Sequence, residues 1–326
     1  MADVGETSVQ VDSLALELEK FELRIDNWSV RRGDCAAFVG RNGSGKTTVL
    51  ESILGLRKDA QLRGSLLGYR FTEWKQRAAL RQRLGVLLQR AGLPEGLYVK
   101  DIIALHRNLY HRSSAAILDA LGVGGLANQA YERISRGEQQ RVDLFMSLAH
   151  EPELLILDEP FTGLDSRFAH VTAGILKGLS NTTILMACHS ELELSRADNM
   201  VWLDAGKIRD SGHPQALRTK MLGDYRLHVS FRTGACALDF ITALRQQFKQ
   251  TYVRAEGETE VIVAGDKSIV SAAQSLVGEG YITALQYGPT SLADLLNCCA
   301  RGESALDSLL DQERGTVKPA AGVQYA

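Results

Sequence analysis

Residues 40–48 read GRNGSGKTT and match G-x-x-x-x-G-K-[ST], a pattern typical of a phosphate-binding loop. The preceding residues, DCAAFVG, predict a short buried strand, and KTTVLESILGL after it has the spacing of a helix. Glycines allow backbone N–H groups to converge on an anion where that helix begins. We therefore expect Lys46 to reach the β and γ phosphates of a nucleotide and the Thr47 hydroxyl to hold Mg²⁺.

A second element of this chemistry is LLILDEP, residues 154–160, an apolar stretch that ends in Asp158 and Glu159. This stretch, TTILMACHS and NMVWLDAGKI are continuous apolar strands, with a helical segment around 166–179 between the first two. Such strands predict a parallel sheet covered on both faces, hence an α/β core. Because parallel strands end at the edge where phosphate loops lie, we expect Asp158 to act on Mg²⁺, either as a direct ligand or through one of its ligands, and Glu159 to orient or deprotonate water.

Six motifs follow one another in a specific order along the chain. They are the glycine-rich loop, Gln89 in LGVLLQ, ISRGEQQR at 134–141, LLILDEP, FTGLDS at 161–166 and His189 in MACHS. In this order the chain resembles the ATP-binding subunits of ABC transporters over about residues 12–222. The resemblance implies a P-loop NTPase fold of the ABC ATPase type, with a helical subdomain at about 90–150, that binds ATP and Mg²⁺ and hydrolyses ATP.

The resemblance also implies roles for individual residues. The implied catalytic residues are Glu159, His189 and Gln89, and the implied Mg²⁺ contacts are Thr47, Gln89 and Asp158. The implied ATP contacts are Gly40, Asn42, Gly43, Ser44, Gly45, Lys46, Thr47, Thr48, Ser135, Gly137, Glu138, Asp165 and Phe21. In this family the serine segment of one subunit caps the ATP held by another, so we expect a head-to-tail homodimer with two complete sites.

Two positions depart from the family pattern. Arg136 stands at the first glycine of the family's Ser-Gly-Gly segment, while Ser135 and Gly137 are present. Because SRG is familiar among ABC-2-type exporters, we interpret the segment as a working variant; a plain helix N-cap at Ser135 is compatible with this interpretation. Phe21 lies closer to Gly40 than the aromatic that stacks on adenine usually does, which leaves both stacking and core packing open.

The sequence changes in character near residue 223. Residues 226–287 run strand, helix, strand, strand, helix, strand, which predicts a small α+β, ferredoxin-like domain at 223–326, with a loosely held tail from about 312. The segment YGPTSLADLLNCCARGE resembles the tail of ABC-2 exporter subunits. A similar unit follows the ATPase domain of some amino-acid importers, where it binds substrate and inhibits. We therefore favour export and keep import as the alternative.

Composition narrows the classes of partner. The chain has 37 Lys and Arg against 39 Asp and Glu, which argues against a nucleic-acid partner. Its five cysteines include no C-x-x-C pair, which argues against disulfides and favours a reducing cytosol. No apolar run approaches the roughly 18 residues that a spanning helix needs. The resemblance therefore implies a separate membrane-spanning permease and a location at the cytoplasmic face of the membrane; a soluble ABC-type ATPase is the rival reading.

Overall fold

The computed structural model describes residues 7–19, 21–73, 78–89, 93–94, 96–110, 112–248, 252–277 and 281–301. Internal contacts divide the chain into two compact units, Met1–Pro214 and Gln215–Ala326. This division falls before the sequence-based boundary at 222/223, at the start of a helix, Pro214–Leu222. The helix groups with the second unit because the Arg218 guanidinium donates to Thr290 and pairs with the Asp224 carboxylate, both in that unit.

The first unit is built on a ten-stranded sheet with the strand order β5-β4-β1-β2-β10-β9-β3-β8-β7-β6. Its strands are β1 (Thr7–Leu18), β2 (Phe21–Arg31), β3 (Cys35–Val39), β4 (Gln61–Leu66), β5 (Tyr69–Arg70), β6 (Leu84–Leu87), β7 (Leu154–Asp158), β8 (Thr183–Ala187), β9 (Asn199–Asp204) and β10 (Lys207–Gly212).

The sheet is mixed, whereas the apolar stretches alone predicted a parallel one. Strands β9, β3, β8, β7 and β6 are parallel, and β3, β7 and β8 are buried at every residue. The long strands β1 and β2 pair antiparallel. Their residues alternate between buried and exposed because one face of this pair is solvated. Strands β1 and β2 therefore differ from the central strands, because they have an exposed polar face and the central strands are buried at every residue.

The segment NMVWLDAGKI was predicted as one strand and is instead a hairpin between β9 and β10. Ala205 and Gly206 turn the chain with φ values of 45° and 75°, as a tight antiparallel hairpin requires. A side chain at Gly206 would lie 1.8 Å from the Glu22 carbonyl oxygen, so only glycine fits there. Ala205 gives no turn signal in sequence, which explains the incorrect prediction.

Helices of the first unit cover the sheet and form an insert between β6 and β7. They are α1 (Lys46–Ile53), α2 (Ala78–Arg81), α3 (Val99–Leu109), α4 (Ala115–Ala120), α5 (Arg136–Leu148), α6 (Ser166–Gly178) and α7 (Glu191–Leu194). Helices α3 to α5 lie within the predicted helical subdomain, and α3 packs on α5 through the buried ring of His106 against Phe145.

The second unit has the ferredoxin-like order of elements that the sequence predicts. After α8 (Pro214–Leu222) its elements are β11 (Tyr225–Phe231), α9 (Gly234–Gln247), β12 (Tyr252–Glu256), β13 (Glu260–Gly265), α10 (Lys267–Ser275), β14 (Ile282–Pro289) and α11 (Leu292–Arg301). The strands form an antiparallel sheet in the order β12-β13-β11-β14, with α9 and α10 packed on a core that includes Val229, Val261 and Phe240. The predicted loose tail lies outside the described residues.

None of the helices in the described ranges is both long enough and apolar enough to cross a membrane.

Candidate functional site

The glycine-rich loop leaves the end of β3 and leads directly into α1. Gly43 and Gly45 have φ values of 79° and 106°, which favour glycine. At Gly40 the constraint is space, because a Cβ atom there would lie 2.0 Å from the Leu203 carbonyl oxygen. Strand β9, which carries Leu203, therefore helps to fix the shape of the loop.

Lys46 closes this loop on itself. Its Nζ donates to the carbonyl oxygens of Gly40 at 2.8 Å and Arg41 at 3.2 Å, and the side chain is buried. Burial lowers the pKa of Lys46, and the charges of Glu159 and Asp158 partly oppose that effect. The ammonium group is thus held by two carbonyl oxygens of the loop.

Asp158 is the last residue of β7 and is only 2% exposed. Burial raises the pKa of its carboxyl group, while the neighbouring Thr47 hydroxyl lowers it in part. Thr47 is a neighbour rather than a well-aligned partner, because neither carboxylate oxygen forms a hydrogen bond of good geometry within the described part of the chain. A buried carboxylate without a partner beside a hydroxyl is a donor set that suits Mg²⁺, so these two residues fit the implied metal.

Glu159 follows Asp158 and has a φ of 52°, a strained value for a residue other than glycine. One carboxylate oxygen lies 3.1 Å from His189 Nε2 and 3.4 Å from Gln89 Nε2, and the other accepts from the Thr162 hydroxyl at 3.2 Å. The three predicted catalytic residues therefore meet around one carboxylate. All three are partly accessible to solvent, as reacting groups must be.

Glu159, Gln89, Lys46 and Thr47 line an open cleft of about 570 Å³, whereas Asp158 and His189 are not among its lining residues. Its lining comprises Leu18, Phe21, Asn42, Gly43, Gly45, Lys46, Thr47, Thr48, Gln89 and Glu159. Phe21 reaches the loop despite its short separation in sequence, because β2 starts beside it: a Cβ atom on Gly45 would lie 2.7 Å from Phe21 Cζ. The sequence reasoning missed Leu18, an exposed apolar residue near the end of β1 whose position in the cleft no motif marks.

The serine segment forms the start of α5. The Ser135 hydroxyl donates to Glu138 Oε2 at 2.8 Å, and the Glu138 amide donates back to the Ser135 oxygen at 3.3 Å, a capping box. The Ser135 hydroxyl and the Ser135 backbone amide, which both donate to Glu138 Oε2, lower the pKa of Glu138. Neither residue is among those that line the cleft in the described part of the chain. The structure therefore shows Ser135 as the N-cap of α5, and its contact with a phosphate remains a prediction.

Gly137 is packed against the segment that follows Glu159. A Cβ atom on Gly137 would lie 2.6 Å from the carbonyl oxygen of Gly163, and the Arg136 side chain extends over Gly163. Two residues further on, Asp165 caps α6 by accepting the Phe168 amide at 2.8 Å. Helix α5 and residues 163–165 are thus in contact within one chain.

One supporting residue was missed by the sequence reasoning. The carboxylate of Glu193 accepts the backbone amides of His189 at 2.7 Å and Ser190 at 2.9 Å, which holds the backbone of His189 where its ring meets Glu159. The S-x-x-E spacing of a capping box, from Ser190 to Glu193, was the signal available in the sequence.

Comparison with known proteins agrees with this geometry. Residues 23–162 match the family model described as ABC transporter. The matched residues lie within the first unit, which is therefore similar to an ABC-type ATP-binding domain, and we call this unit the ABC domain. This ABC domain is similar to the probable multidrug ABC transporter ATP-binding protein YbhF of Escherichia coli (strain K12), with 28% identity over 233 residues, 68% of this chain and 39% of that protein. The resemblance stated from the motifs is confirmed.

Two further relatives differ in the direction of transport that their names give. The Nod factor export ATP-binding protein I of Cupriavidus pinatubonensis is 33% identical over 204 residues, 60% of this chain and 62% of that protein. The molybdenum import ATP-binding protein ModC of Pseudomonas aeruginosa is 34% identical over 221 residues, 62% of this chain and 60% of that protein. The chain thus spans 39% to 62% of the length of these three relatives.

Solved structures support the fold of the ABC domain. The structure of an ATP binding subunit of an ABC transporter is similar with a TM-score of 0.58 at 23% identity, covering 65% of this chain and 92% of that one. A bacterial Atm1-family ABC exporter with ATP bound gives a TM-score of 0.57 at 21% identity, covering 67% and 41%. The predicted P-loop ABC ATPase fold is therefore confirmed.

Proposed function

We propose that this chain is the ATP-binding and ATP-hydrolysing subunit of an ABC transporter and drives a separate membrane-spanning permease. The observation that carries the proposal is the cleft lined by Lys46, Thr47 and an accessible Glu159, with the buried Asp158 next to Glu159 in the chain and close enough to Lys46 to oppose the lowering of its pKa by burial. A phosphate loop, a metal-binding carboxylate and a second carboxylate that can accept a proton are the parts that phosphoryl transfer to water requires.

Each residue has a distinct task in this proposal. Lys46 exchanges its bonds to the loop carbonyls for the β and γ phosphates of ATP. Thr47, Asp158 and Gln89 would hold Mg²⁺, which neutralises charge on the phosphates when bound. Glu159 orients the attacking water and accepts its proton. The His189 ring, through Nε2 at 3.1 Å, restricts the rotamer of that carboxylate, and from the family resemblance we expect it to contact the γ phosphate.

The site of one chain is incomplete by this reading, so we propose a head-to-tail homodimer. Ser135, Gly137 and Asp165 lie outside the cleft lining, on segments that contact each other through Gly137 and Gly163. Because these segments and the phosphate loop belong to the same chain, two identical chains supply two complete sites. ATP binding closes the pair, and hydrolysis followed by product release opens it.

The permease contact has a candidate surface on the ABC domain. A groove of about 410 Å³ runs beside β6 and α5. Its lining is mainly apolar and includes Leu87, Leu93, Tyr110 and Met146, with Asp143 as an acidic group in its wall. A short apolar segment of the permease would bury these side chains. From the family resemblance we also expect the segment after Gln89, residues 90–101, to take part in this contact; it lies partly outside the described residues.

Export is the direction we propose. It rests on the segment YGPTSLADLLNCCARGE and on a relative named for export, while a relative named for import keeps the alternative open. An importer whose second unit is regulatory predicts a small molecule that binds residues 223–326. A specific thermal shift on screening small-molecule cargo classes would favour import, and the absence of any shift favours export with a bracing role for the second unit.

The test combines recovery from membranes with an activity assay. Tagged protein is purified in mild detergent, and ATP hydrolysis is measured for the wild type, Glu159→Gln and the control Glu151→Gln, an exposed carboxylate paired with Arg112. We expect one multi-span protein at near-equal amount, and a loss of activity of at least about 100-fold in Glu159→Gln alone. An active dimer without a membrane partner would favour the soluble ABC-type ATPase, and full activity of Glu159→Gln would reject the assignment of the base.

A further inference from the structure

Strand β14 forms one edge of the four-stranded sheet in the second unit. Within the described residues it pairs with β11 alone, in a register that runs from Tyr225 opposite Pro289 to Phe231 opposite Ile282. It spans eight residues, Ile282–Pro289, and five of them are exposed. A strand of this length with an unpaired side is a template for a further strand.

The two edges of this sheet are protected differently. Strand β12, at the opposite edge, carries Arg254, which is buried and forms an ion pair with Glu256 of the same strand; inward-pointing charges of this kind oppose pairing with another sheet. Strand β14 reads ITALQYGP and carries no charged side chain. Tyr281 and Tyr287, near its two ends, are 61% and 48% exposed. Apart from Pro289 at its last position, β14 therefore carries none of the charges or prolines that oppose pairing.

The backbone of β14 also presents hydrogen-bonding groups outward. The Thr290 amide donates to the Asp224 carbonyl at 3.0 Å, one step beyond the last pair of the ladder. Because antiparallel pairs alternate along the strand, the amides of Gln286 and Gly288 face β11 and those of Leu285 and Tyr287 face away. Two N–H groups and two carbonyl groups at the centre of the strand are thus placed for a new partner.

We propose that β14 pairs antiparallel with β14 of a second copy of this chain, which joins two four-stranded sheets into one of eight strands. A pairing of one strand with itself is isologous and requires only a two-fold axis near Leu285 or Gln286. The choice of a second copy as partner rests on the proposed function, since a head-to-tail pair of ABC domains already brings two chains together. The second unit then holds two chains together while the ABC domains are open.

The test uses the full chain without nucleotide and measures its self-association by sedimentation equilibrium. Ala284→Lys with Gln286→Lys adds two charges on exposed side chains, and either axis places a lysine opposite a lysine of the other copy. The control, Gln246→Lys with Gln247→Lys, adds the same charge to exposed residues of α9. We expect a wild-type dimer that the strand variant weakens at least tenfold and the control leaves unchanged. A wild-type monomer, or equal effects of the two variants, would overturn the proposal.

Hydrogen exchange gives a second measurement at the strand itself. Peptides that cover residues 281–289 should exchange more slowly as the wild-type concentration rises, and should lose that dependence in the strand variant. If residues 302–326 of the same chain cover the edge instead, exchange will be slow at every concentration and the proposal fails.

The two proposals can fail separately. ATP hydrolysis and ATP-induced dimerisation of Glu159→Gln report on the ABC domain, whereas the dimer without nucleotide reports on β14. A chain that is monomeric without nucleotide but dimerises with MgATP retains the proposed function and loses this inference. A nucleotide-free dimer, disrupted by the lysines, in a chain without ATPase activity does the reverse.

Discussion

The absence of a Cβ atom at Gly137 is important for the proposed dimer. A methyl group there would approach the Gly163 carbonyl to 2.6 Å, so Gly137→Ala must displace the segment that leads to Asp165. Because that segment and Ser135 are expected to act on the ATP of the other subunit, we expect ATP hydrolysis to fall on the order of 100-fold. The cleft of the same chain is untouched, so the Kd for MgATP should stay near the wild-type value.

Gly174→Ala is the matched control for this substitution. Gly174 lies within α6, and a Cβ atom there would meet nothing within 4 Å. We expect full activity and a gain in stability of about 0.5–1 kcal/mol from the lower entropy of the unfolded chain. Equal activity of the two alanine variants would contradict the prediction for Gly137.

Phe21 can be assigned by separating affinity from stability. If its ring stacks on adenine, Phe21→Ala should raise the Kd for ATP about tenfold or more, given roughly 1–3 kcal/mol for stacking of a base on an aromatic side chain. Phe21→Tyr keeps the ring and should bind as the wild type does. The measurement is nucleotide affinity together with Tm. A lower Tm for Phe21→Ala with an unchanged Kd would leave Phe21 a packing residue only.

At the scale of elements, two buried histidines join the helical subdomain to the sheet. The His150 ring lies 2.9 Å through Nε2 from the Leu84 carbonyl of β6, and His106 contacts it at 5.6 Å between ring centroids. Burial, with smaller contributions from His150 and Arg107, lowers the pKa of His106 from 6.5 to about 4. Burial also lowers the pKa of His150. Both rings are therefore neutral at physiological pH.

The sign of the resulting pH dependence follows from the unfolded state. Below pH 6.5 the unfolded His106 takes up a proton, while the folded residue does so only near pH 4, so the free energy of unfolding decreases as the pH falls through this window. The change from this residue is roughly 3 kcal/mol. We expect urea unfolding of His106→Gln to lose this contribution, and the exposed control His170→Gln to keep it.

Asp143 acts in the opposite direction over part of the same window. Burial raises the pKa of its carboxyl group to about 6, and a hydrogen bond from Tyr131 opposes this effect. The folded protein therefore binds this proton more tightly than the unfolded chain, so the contribution of Asp143 to the free energy of unfolding decreases as the pH rises from 3.8 to 6. The informative quantity is therefore the difference between His106→Gln and the wild type at each pH. Parallel curves for the two proteins would contradict the assignment.

The elements that the sequence predicted well are those whose burial is uniform. Unbroken apolar runs predicted strands β7 and β8, and a 3.6-residue period predicted helix α6. Each of these elements has only one way to bury its apolar side chains. Strands β4, β5 and β6 were missed, since short strands with mixed burial resemble loops. The hairpin of β9 and β10 was read as one strand because Ala205 gives no turn signal.

The candidate site divides in the same way. Lys46, Thr47, Asp158 and Glu159 could be argued from motif chemistry and strand direction. Gln89 and His189 could not, because a polar residue after an apolar strand has no preferred partner; they came from the family resemblance, and the structure places both on Glu159. Contacts that depend on tertiary approach, such as Gly137 on Gly163 and Phe21 on Gly45, have no signature in a single sequence.

At the scale of the whole molecule, complementation tests whether each site is shared by two chains. Lys46→Ala and Ser135→Arg should each abolish hydrolysis alone. In an equimolar mixture, half of the dimers combine one chain of each kind and contain one intact site, so about a quarter of the wild-type activity should return. The control is a mixture of Lys46→Ala with Glu159→Gln, both in the same half of the site, which should stay inactive. An inactive first mixture would reject the shared site.

The capping box of α5 has a consequence for the proposed cycle. The Ser135 hydroxyl has one hydrogen, and in the isolated chain that hydrogen goes to Glu138, which the same bonds keep ionised. A phosphate from the opposing chain accepts hydrogen bonds as a carboxylate does, so the two compete for one donor. Closure around an empty loop offers Ser135 no replacement acceptor. Breaking the hydrogen bond between Ser135 and Glu138 therefore costs free energy that is recovered only when the opposing chain holds ATP. This cost disfavours closure of the dimer before ATP binds.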